Sequence, residues 1–200
     1  MGALTRGRLT RRSSGLASLA AELHFVRLQK TQLMRIPRSR HLFRELEDRF
    51  LAANDDSGLD ALSSGVKDRG HLTKREFVTV CRWKSPRTTP LVLRNGTRDI
   101  AQLTACALST TNERLRVGAL LLLQGVSWPT ASVILHFFHS DPYPVLDYRA
   151  VWSVELAQPS PYSFEFWWQY VLICRALSRS LRLSMRTVDR ALWQFSKEQG

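Results

Sequence analysis

One stretch decides the fold of this chain: Leu123-Gln124-Gly125-Val126-Ser127-Trp128-Pro129-Thr130-Ala131-Ser132-Val133-Ile134-Leu135. Gly125 predicts the end of one helix, because a residue without Cβ readily adopts the left-handed conformation found at helix C-termini. Pro129 predicts the first turn of a second helix, where a missing N–H costs nothing. The sequence therefore predicts a helical hairpin at about 114–138, with its turn within 123–135.

Helices are predicted on both sides of this hairpin. In the segment 40–53, the apolar residues Leu42, Phe43, Leu46, Phe50 and Leu51 recur with helical period. Thr73 is a candidate N-cap for another helix, and the two prolines of 84–90 predict a loop at 84–89. Further helices are predicted at 16–33, 99–108, 113–123, 130–138, 147–156, 163–176 and 185–196. No segment alternates with period two, so the expected class is a compact all-α fold.

The charge of the chain indicates an anionic partner. Lys and Arg number 29 against 17 Asp and Glu, giving a net charge of +12, of which +8 lies in residues 1–40. We expect residues 1–14 to form a flexible basic arm and residues 15–200 to form one domain, since 44% of the chain is hydrophobic. No apolar run reaches the roughly 18 residues of a membrane span. A cytoplasmic, nucleoid-associated monomer is favoured over an organelle-targeted protein.

The cysteines predict neither a disulfide framework nor a metal site. Cys81, Cys106 and Cys174 are odd in number and far apart, and none forms a Cys-x-x-Cys pair. His136 and His139 could share a helix face, but no further ligand accompanies them. We therefore expect no metal and no cofactor.

The hairpin turn is a candidate phosphate-binding site. Amide N–H groups at Gly125, Val126 and Ser127, and in the first helical turn around Thr130, lack acceptors within the helix. Such groups, aided by the helix dipole, bind phosphate oxygens without reading base sequence.

Together with the segment Asp141-Pro142-Tyr143-Pro144-Val145-Leu146-Asp147-Tyr148-Arg149-Ala150-Val151, this hairpin resembles the helix-hairpin-helix (HhH-GPD) superfamily of DNA glycosylases. The typical hairpin there is Leu-Pro-Gly-Val-Gly-x-Lys-Thr-Ala, and an aspartate at the start of the next helix is catalytic. Gly125 and Asp147 are 22 residues apart, as the family pattern requires. The resemblance covers residues 113 to about 154 and implies the family's all-α fold and action on double-stranded DNA.

The resemblance implies a role for Asp147 within 144–152: its carboxylate would stabilise the positively charged sugar and orient a water while the base is released. It also implies that the base is flipped into an aromatic pocket, for which Tyr148, Trp152 and Trp128 are the first candidates. Cations expected near the DNA are Arg149 and those of the segment Arg82-Trp83-Lys84-Ser85-Pro86-Arg87.

Three departures from the family pattern matter. Gln124 and Ser127 replace a proline and a glycine of the hairpin, and Pro129 stands where bifunctional members carry an imine-forming lysine. A lyase step by the family route is therefore not expected. The four-cysteine run that holds an iron–sulfur cluster in some relatives is also absent.

Three other interpretations of these residues stay open. Asp147 could serve only as a helix N-cap, and the chain could be a noncatalytic DNA-binding protein, or a helical scaffold for RNA. A pocket's shape, which one sequence does not give, decides which base is excised. The sequence thus favours a monofunctional DNA glycosylase, acting in base excision repair or in defence against phage DNA with modified bases.

Overall fold

The computed structural model describes residues 34–54 and 57–200, and all regular elements in these ranges are helices. The predicted all-α class is confirmed for this part of the chain, where no helix is long and apolar enough to span a bilayer. The predicted arm 1–14, the domain boundary at residue 15 and the helix 16–33 lie outside the described residues. The helices are α1 (Arg40–Ala53), α2 (Ser57–Asp60), α3 (Ser63–Arg69), α4 (Lys74–Lys84), α5 (Thr89–Val92), α6 (Thr97–Ser109), α7 (Glu113–Leu121), α8 (Trp128–Phe138), α9 (Tyr148–Ser153), α10 (Phe164–Leu181) and α11 (Met185–Gln199).

Side-chain caps explain where several helices begin. Thr73 caps α4 through a full capping box, in which its hydroxyl accepts the Glu76 N–H and the Glu76 carboxylate accepts the Thr73 N–H. Single caps begin α1, α7, α10 and α11 at Ser39, Asn112, Ser163 and Ser184. These starts were readable from the sequence because each cap is a local interaction.

The predicted loop at 84–89 is wrong, because this segment is mostly helical. Lys84 is the last residue of α4, and Pro86 opens a 3₁₀ turn at Pro86–Thr88 that leads directly into α5. Both Pro86 and Pro90 lie at first-turn positions, where proline's fixed φ and missing N–H are tolerated. The prolines thus begin short helical turns here.

Helix ends differ from the prediction more than helix positions do. The helix that was expected at 147–156 is only Tyr148–Ser153, because Glu155 has a φ of 55° and leaves the right-handed helical region. The helices expected at 163–176 and 185–196 extend to Leu181 and Gln199. Packing adds these last turns, which local signals do not mark.

The core lies around α8 and α10. Most residues of α8 are buried, so this helix is apolar on nearly every face. Trp167 and Tyr170 of α10 are fully buried, and the ring of Tyr143 stacks on Trp167 at 6.0 Å between centroids. The C-terminal helix α11 packs against α1 and α9. Residues 139–147 connect the second helix of the hairpin, α8, to α9.

Gly125 brings the hairpin turn against α5. Its φ is +79°, and a Cβ added to it would lie 2.8 Å from Val92 Cγ2 and 3.0 Å from the Val92 backbone nitrogen. Two independent requirements, a left-handed backbone and a close approach, therefore favour glycine at this position.

Asn95 holds the same turn through hydrogen bonds to the Gln124 backbone. Its side chain is 6% exposed; Oδ1 accepts the Gln124 N–H at 2.8 Å, and Nδ2 donates to the Gln124 carbonyl at 2.9 Å. Nδ2 also donates to the Val92 carbonyl at 2.9 Å. One buried amide thus joins the hairpin to the end of α5.

We expect Asn95→Ala to lower the free energy of unfolding by roughly 1–3 kcal/mol, because the N–H and the carbonyl of Gln124 both lose their side-chain partner. Urea unfolding followed by circular dichroism measures this loss. Asn112→Ala is the control: it removes the cap of α7, which accepts the Leu115 N–H, and should cost about 1 kcal/mol. A smaller loss of stability for Asn95→Ala than for this control would contradict the proposed role of Asn95 in joining the hairpin to α5.

Candidate active site

Asp147 lies at the N-terminus of α9 with both carboxylate oxygens engaged. Oδ1 accepts the N–H of Arg149 at 3.1 Å, so Asp147 is the N-cap of this short helix. Oδ2 accepts from Lys84 Nζ at 2.8 Å. The capping role that the sequence left open is therefore present. A cap uses one lone pair of one oxygen, so the carboxylate retains acceptor capacity for a further partner.

Two buried hydrogen bonds fix the backbone that leads to Asp147. The Leu146 N–H donates to Ser132 Oγ on α8 at 2.7 Å. The Val145 N–H donates to Asp189 Oδ1 on α11 at 2.9 Å. The carboxylate is thus positioned by the second helix of the hairpin and by the C-terminal helix.

The Lys84–Asp147 ion pair is the central electrostatic feature of this region. The Lys84 side chain is 14% exposed and that of Asp147 is 21% exposed, so water screens the pair only in part. Lys84 reaches Asp147 from the C-terminal end of α4, 63 residues earlier in the chain. This proximity is a tertiary contact, and the sequence carries no signal for it.

Two cavities meet at this ion pair. One, of about 430 Å³, has aromatic walls from Phe50, Trp83 and Trp193. The other, of about 560 Å³, is lined by the hairpin residues Ser127 and Thr130 and by Arg87, Tyr148 and Tyr162. Lys84 and Asp147 line both. The hairpin and the Asp147 carboxylate therefore share one concave surface, with an aromatic compartment beside it.

The hairpin presents fewer amides than the sequence predicts. The Val126 N–H donates to the Leu123 carbonyl at 3.1 Å and is already used within the turn. Ser127 is the N-cap residue of α8, but its side chain makes no capping bond. Thr130 is buried, and its Oγ1 has no hydrogen-bond partner in the described part of the chain. Ser127 and Thr130 thus line the second cavity, although the Thr130 hydroxyl itself is buried.

A second carboxylate, Asp189, lies in the wall of the aromatic cavity. Burial raises its pKa to about 7, against the lowering effect of the Val145 N–H, Arg186 and Lys84. No motif in the sequence marks this residue as part of a site. Its spacing from Met185 and Leu192, which are also buried, placed it on the inner face of α11 and was a readable signal.

We expect Asp189 to make stability fall as pH rises. The folded chain keeps this proton up to about pH 7, whereas an unfolded aspartate loses it near pH 4, so the folded state binds more protons between these values. The lost stability is on the order of 4 kcal/mol by this linkage, complete above pH 7. In Asp189→Asn, which can still accept the Val145 N–H, this slope should be absent in urea titrations at pH 4–8. Equal slopes for both proteins would contradict the prediction.

The predicted pocket aromatics lie in different places. Tyr148 is 58% exposed and lines the second cavity. Trp152 packs on Phe195, and Trp128 packs on Trp167, and neither lines either cavity. The aromatic walls come instead from α1, α4 and α11, which only the tertiary structure brings together.

The cations predicted to contact DNA also lie in different places. Lys84 and Arg87 line the second cavity, whereas Arg82, although exposed, lines neither. The Arg149 guanidinium lies over the rings of Tyr148 and Trp193 at 5.2 and 5.6 Å. In residues 34–54 and 57–200, no cluster of three or more His, Cys, Asp or Glu could hold a metal ion.

Comparison with models of protein families, with curated proteins and with solved structures finds no match for this chain.

Proposed function

We propose that this protein is a DNA glycosylase of the helix-hairpin-helix type, which removes a damaged or modified base from duplex DNA by hydrolysis and leaves an abasic site. One observation carries the proposal: hairpin residues Ser127 and Thr130 line the same cavity as the Asp147 carboxylate. A phosphate held by the hairpin would place a neighbouring sugar close to that carboxylate.

The hairpin and nearby cations would bind the phosphate backbone of the DNA. The first-turn amides of α8, which is 11 residues long, lack acceptors within the helix and suit a phosphate oxygen. Arg87, on the same cavity, would add a charge-assisted contact. These contacts position the duplex and do not select a base.

Selection of the base would take place in the aromatic cavity. Its volume of about 430 Å³ lies within the usual range of small-molecule sites, and Phe50, Trp83 and Trp193 offer flat apolar walls. A base flipped from the stack is stabilised by such walls and by polar groups at its edge. Asp189 and Asn54 line the same cavity and are the candidate edge contacts.

Asp147 would supply the chemistry. Loss of the base builds positive charge on the sugar, and a fixed carboxylate stabilises this charge more in the transition state than in the ground state. The remaining acceptor capacity of Asp147 would orient the attacking water. The N-cap bond and the anchors of Leu146 and Val145 hold the carboxylate rigidly, as this role requires.

A panel of duplexes tests this proposal. Each carries one alkylated, oxidised, mismatched or modified base, is treated with the protein and then with alkali, and is scored for strand breaks at the abasic site. We expect breaks at one lesion class. Tight binding without breaks on any member of a broad panel would overturn the glycosylase assignment.

A noncatalytic DNA-binding protein is the second candidate, and one observation favours it. Asp147 already caps α9 and pairs with Lys84, so the carboxylate has a structural use without catalysis. This alternative predicts that DNA binding persists, and strengthens, when the negative charge of Asp147 is removed. It also predicts that no abasic site forms on any substrate.

A further inference from the structure

The Lys84 amine, which lies beside Asp147, offers a second reaction. Position 129 of the hairpin is proline and supplies no amine, so the sequence predicts no step beyond base release. The structure nevertheless places Lys84 Nζ 2.8 Å from Asp147 Oδ2, on the wall of both cavities. This amine comes from the end of α4, a different element from the hairpin.

We propose that Lys84 forms an imine with the aldehyde of an abasic deoxyribose and thereby cleaves the DNA strand 3′ to it. The inference extends the proposed function, because the aldehyde is the product of base release. The geometry supports it: Lys84 is within hydrogen-bonding distance of a carboxylate that can take the ammonium proton, and its side chain is only 14% exposed.

The reaction balances without an oxidant or a cofactor. The Nζ lone pair bonds to C1′ of the ring-opened sugar, and the aldehyde oxygen leaves as water with the two amine protons. The imine, protonated once more, acidifies C2′. Loss of the C2′ proton to a base, for which Asp147 is the nearest candidate, breaks the C3′–O bond and releases the 3′ phosphate. Hydrolysis of the imine consumes one water and restores the amine.

The surrounding contacts favour access of a sugar to this amine. Lys84 borders the cavity shared with Ser127 and Thr130, so a phosphate at the hairpin and a sugar at Lys84 would belong to the same strand. Lys74, at the first turn of the same helix, instead donates to the Leu93 carbonyl and lines neither cavity. It is therefore a matched control lysine.

Borohydride trapping on pre-formed abasic DNA tests the inference without requiring base release. The full-length protein is mixed with a duplex that holds one abasic site, and sodium borohydride is added to reduce any imine to a stable amine. We expect a covalent complex for the unmodified protein and for Lys74→Met, and its loss in Lys84→Met. Peptide mapping should place the adduct at Lys84 and at none of the other four lysines: Lys30, Lys67, Lys74 and Lys197.

Lys84→Arg separates nucleophilic from structural roles. Arginine keeps a positive charge opposite Asp147, but a guanidinium does not form the imine. We expect folding and duplex binding to persist and trapping to be lost. Trapping by Lys84→Arg at the unmodified level, an adduct mapped elsewhere, or no complex with the unmodified protein would each overturn the inference. Absence of base release in the lesion panel together with trapping at Lys84 would overturn the glycosylase proposal alone.

Discussion

Asp147→Asn should slow base release by about 10²–10³-fold while leaving duplex binding intact. Asparagine keeps an oxygen that can accept the Arg149 N–H, so the cap of α9 survives, but the negative charge beside the sugar is gone. Loss of one preorganised transition-state contact slows the chemical step by about 10²–10³-fold. Single-turnover excision on the substrate found in the lesion panel measures the rate, and a gel shift measures binding.

The charge and the cap of Asp147 can be separated by two further variants. Asp147→Ala removes both the charge and the cap. Its free energy of unfolding should be about 1 kcal/mol lower than that of Asp147→Asn, which keeps the cap. Asp147→Asn leaves the Lys84 ammonium without its partner, so Asp147→Asn combined with Lys84→Met should recover stability without recovering excision. Excision by Asp147→Asn at the unmodified rate would contradict the catalytic role.

Gly125→Ala should lower the stability of the folded chain and its affinity for duplex DNA. The left-handed backbone costs about 1–2 kcal/mol for a residue with Cβ. Overlap with Val92 adds about 1–3 kcal/mol, since the side chain can rotate but the backbone nitrogen at 3.0 Å cannot. If the turn shifts to relieve the overlap, the amides around Ser127 move with it. Urea unfolding and duplex affinity at fixed salt measure the two effects.

Gly118→Ala is the matched control for this substitution. Gly118 lies inside α7, and a Cβ added there meets nothing within 4 Å. Alanine has the higher helix propensity, so we expect stability to rise by up to about 1 kcal/mol and DNA affinity to stay unchanged. The hairpin assignment would fail if Gly125→Ala behaved like Gly118→Ala in both measurements.

Local signals predicted the elements that carry the candidate site. The bounds of α1, the cap at Thr73 and the hairpin between α7 and α8 agree with the sequence, because helical period and caps depend on residues within a few positions of each other. The position of Asp147 just before a helix was likewise readable. The prolines led to the prediction of a loop at 84–89, because proline is excluded from helix interiors. The prediction was wrong because this exclusion does not apply to first turns, where both prolines lie.

The sequence by itself determined the all-α class, the hairpin and the placement of Asp147 at a helix start. Only the tertiary structure decided what surrounds that carboxylate: Lys84 lies 63 positions away along the chain, and Asp189 lies 42. The aromatic walls from Phe50, Trp83 and Trp193 belong to three separate helices. Local propensity specifies elements through neighbouring residues, whereas a site is formed by distant residues that come together only when the apolar faces of those elements pack.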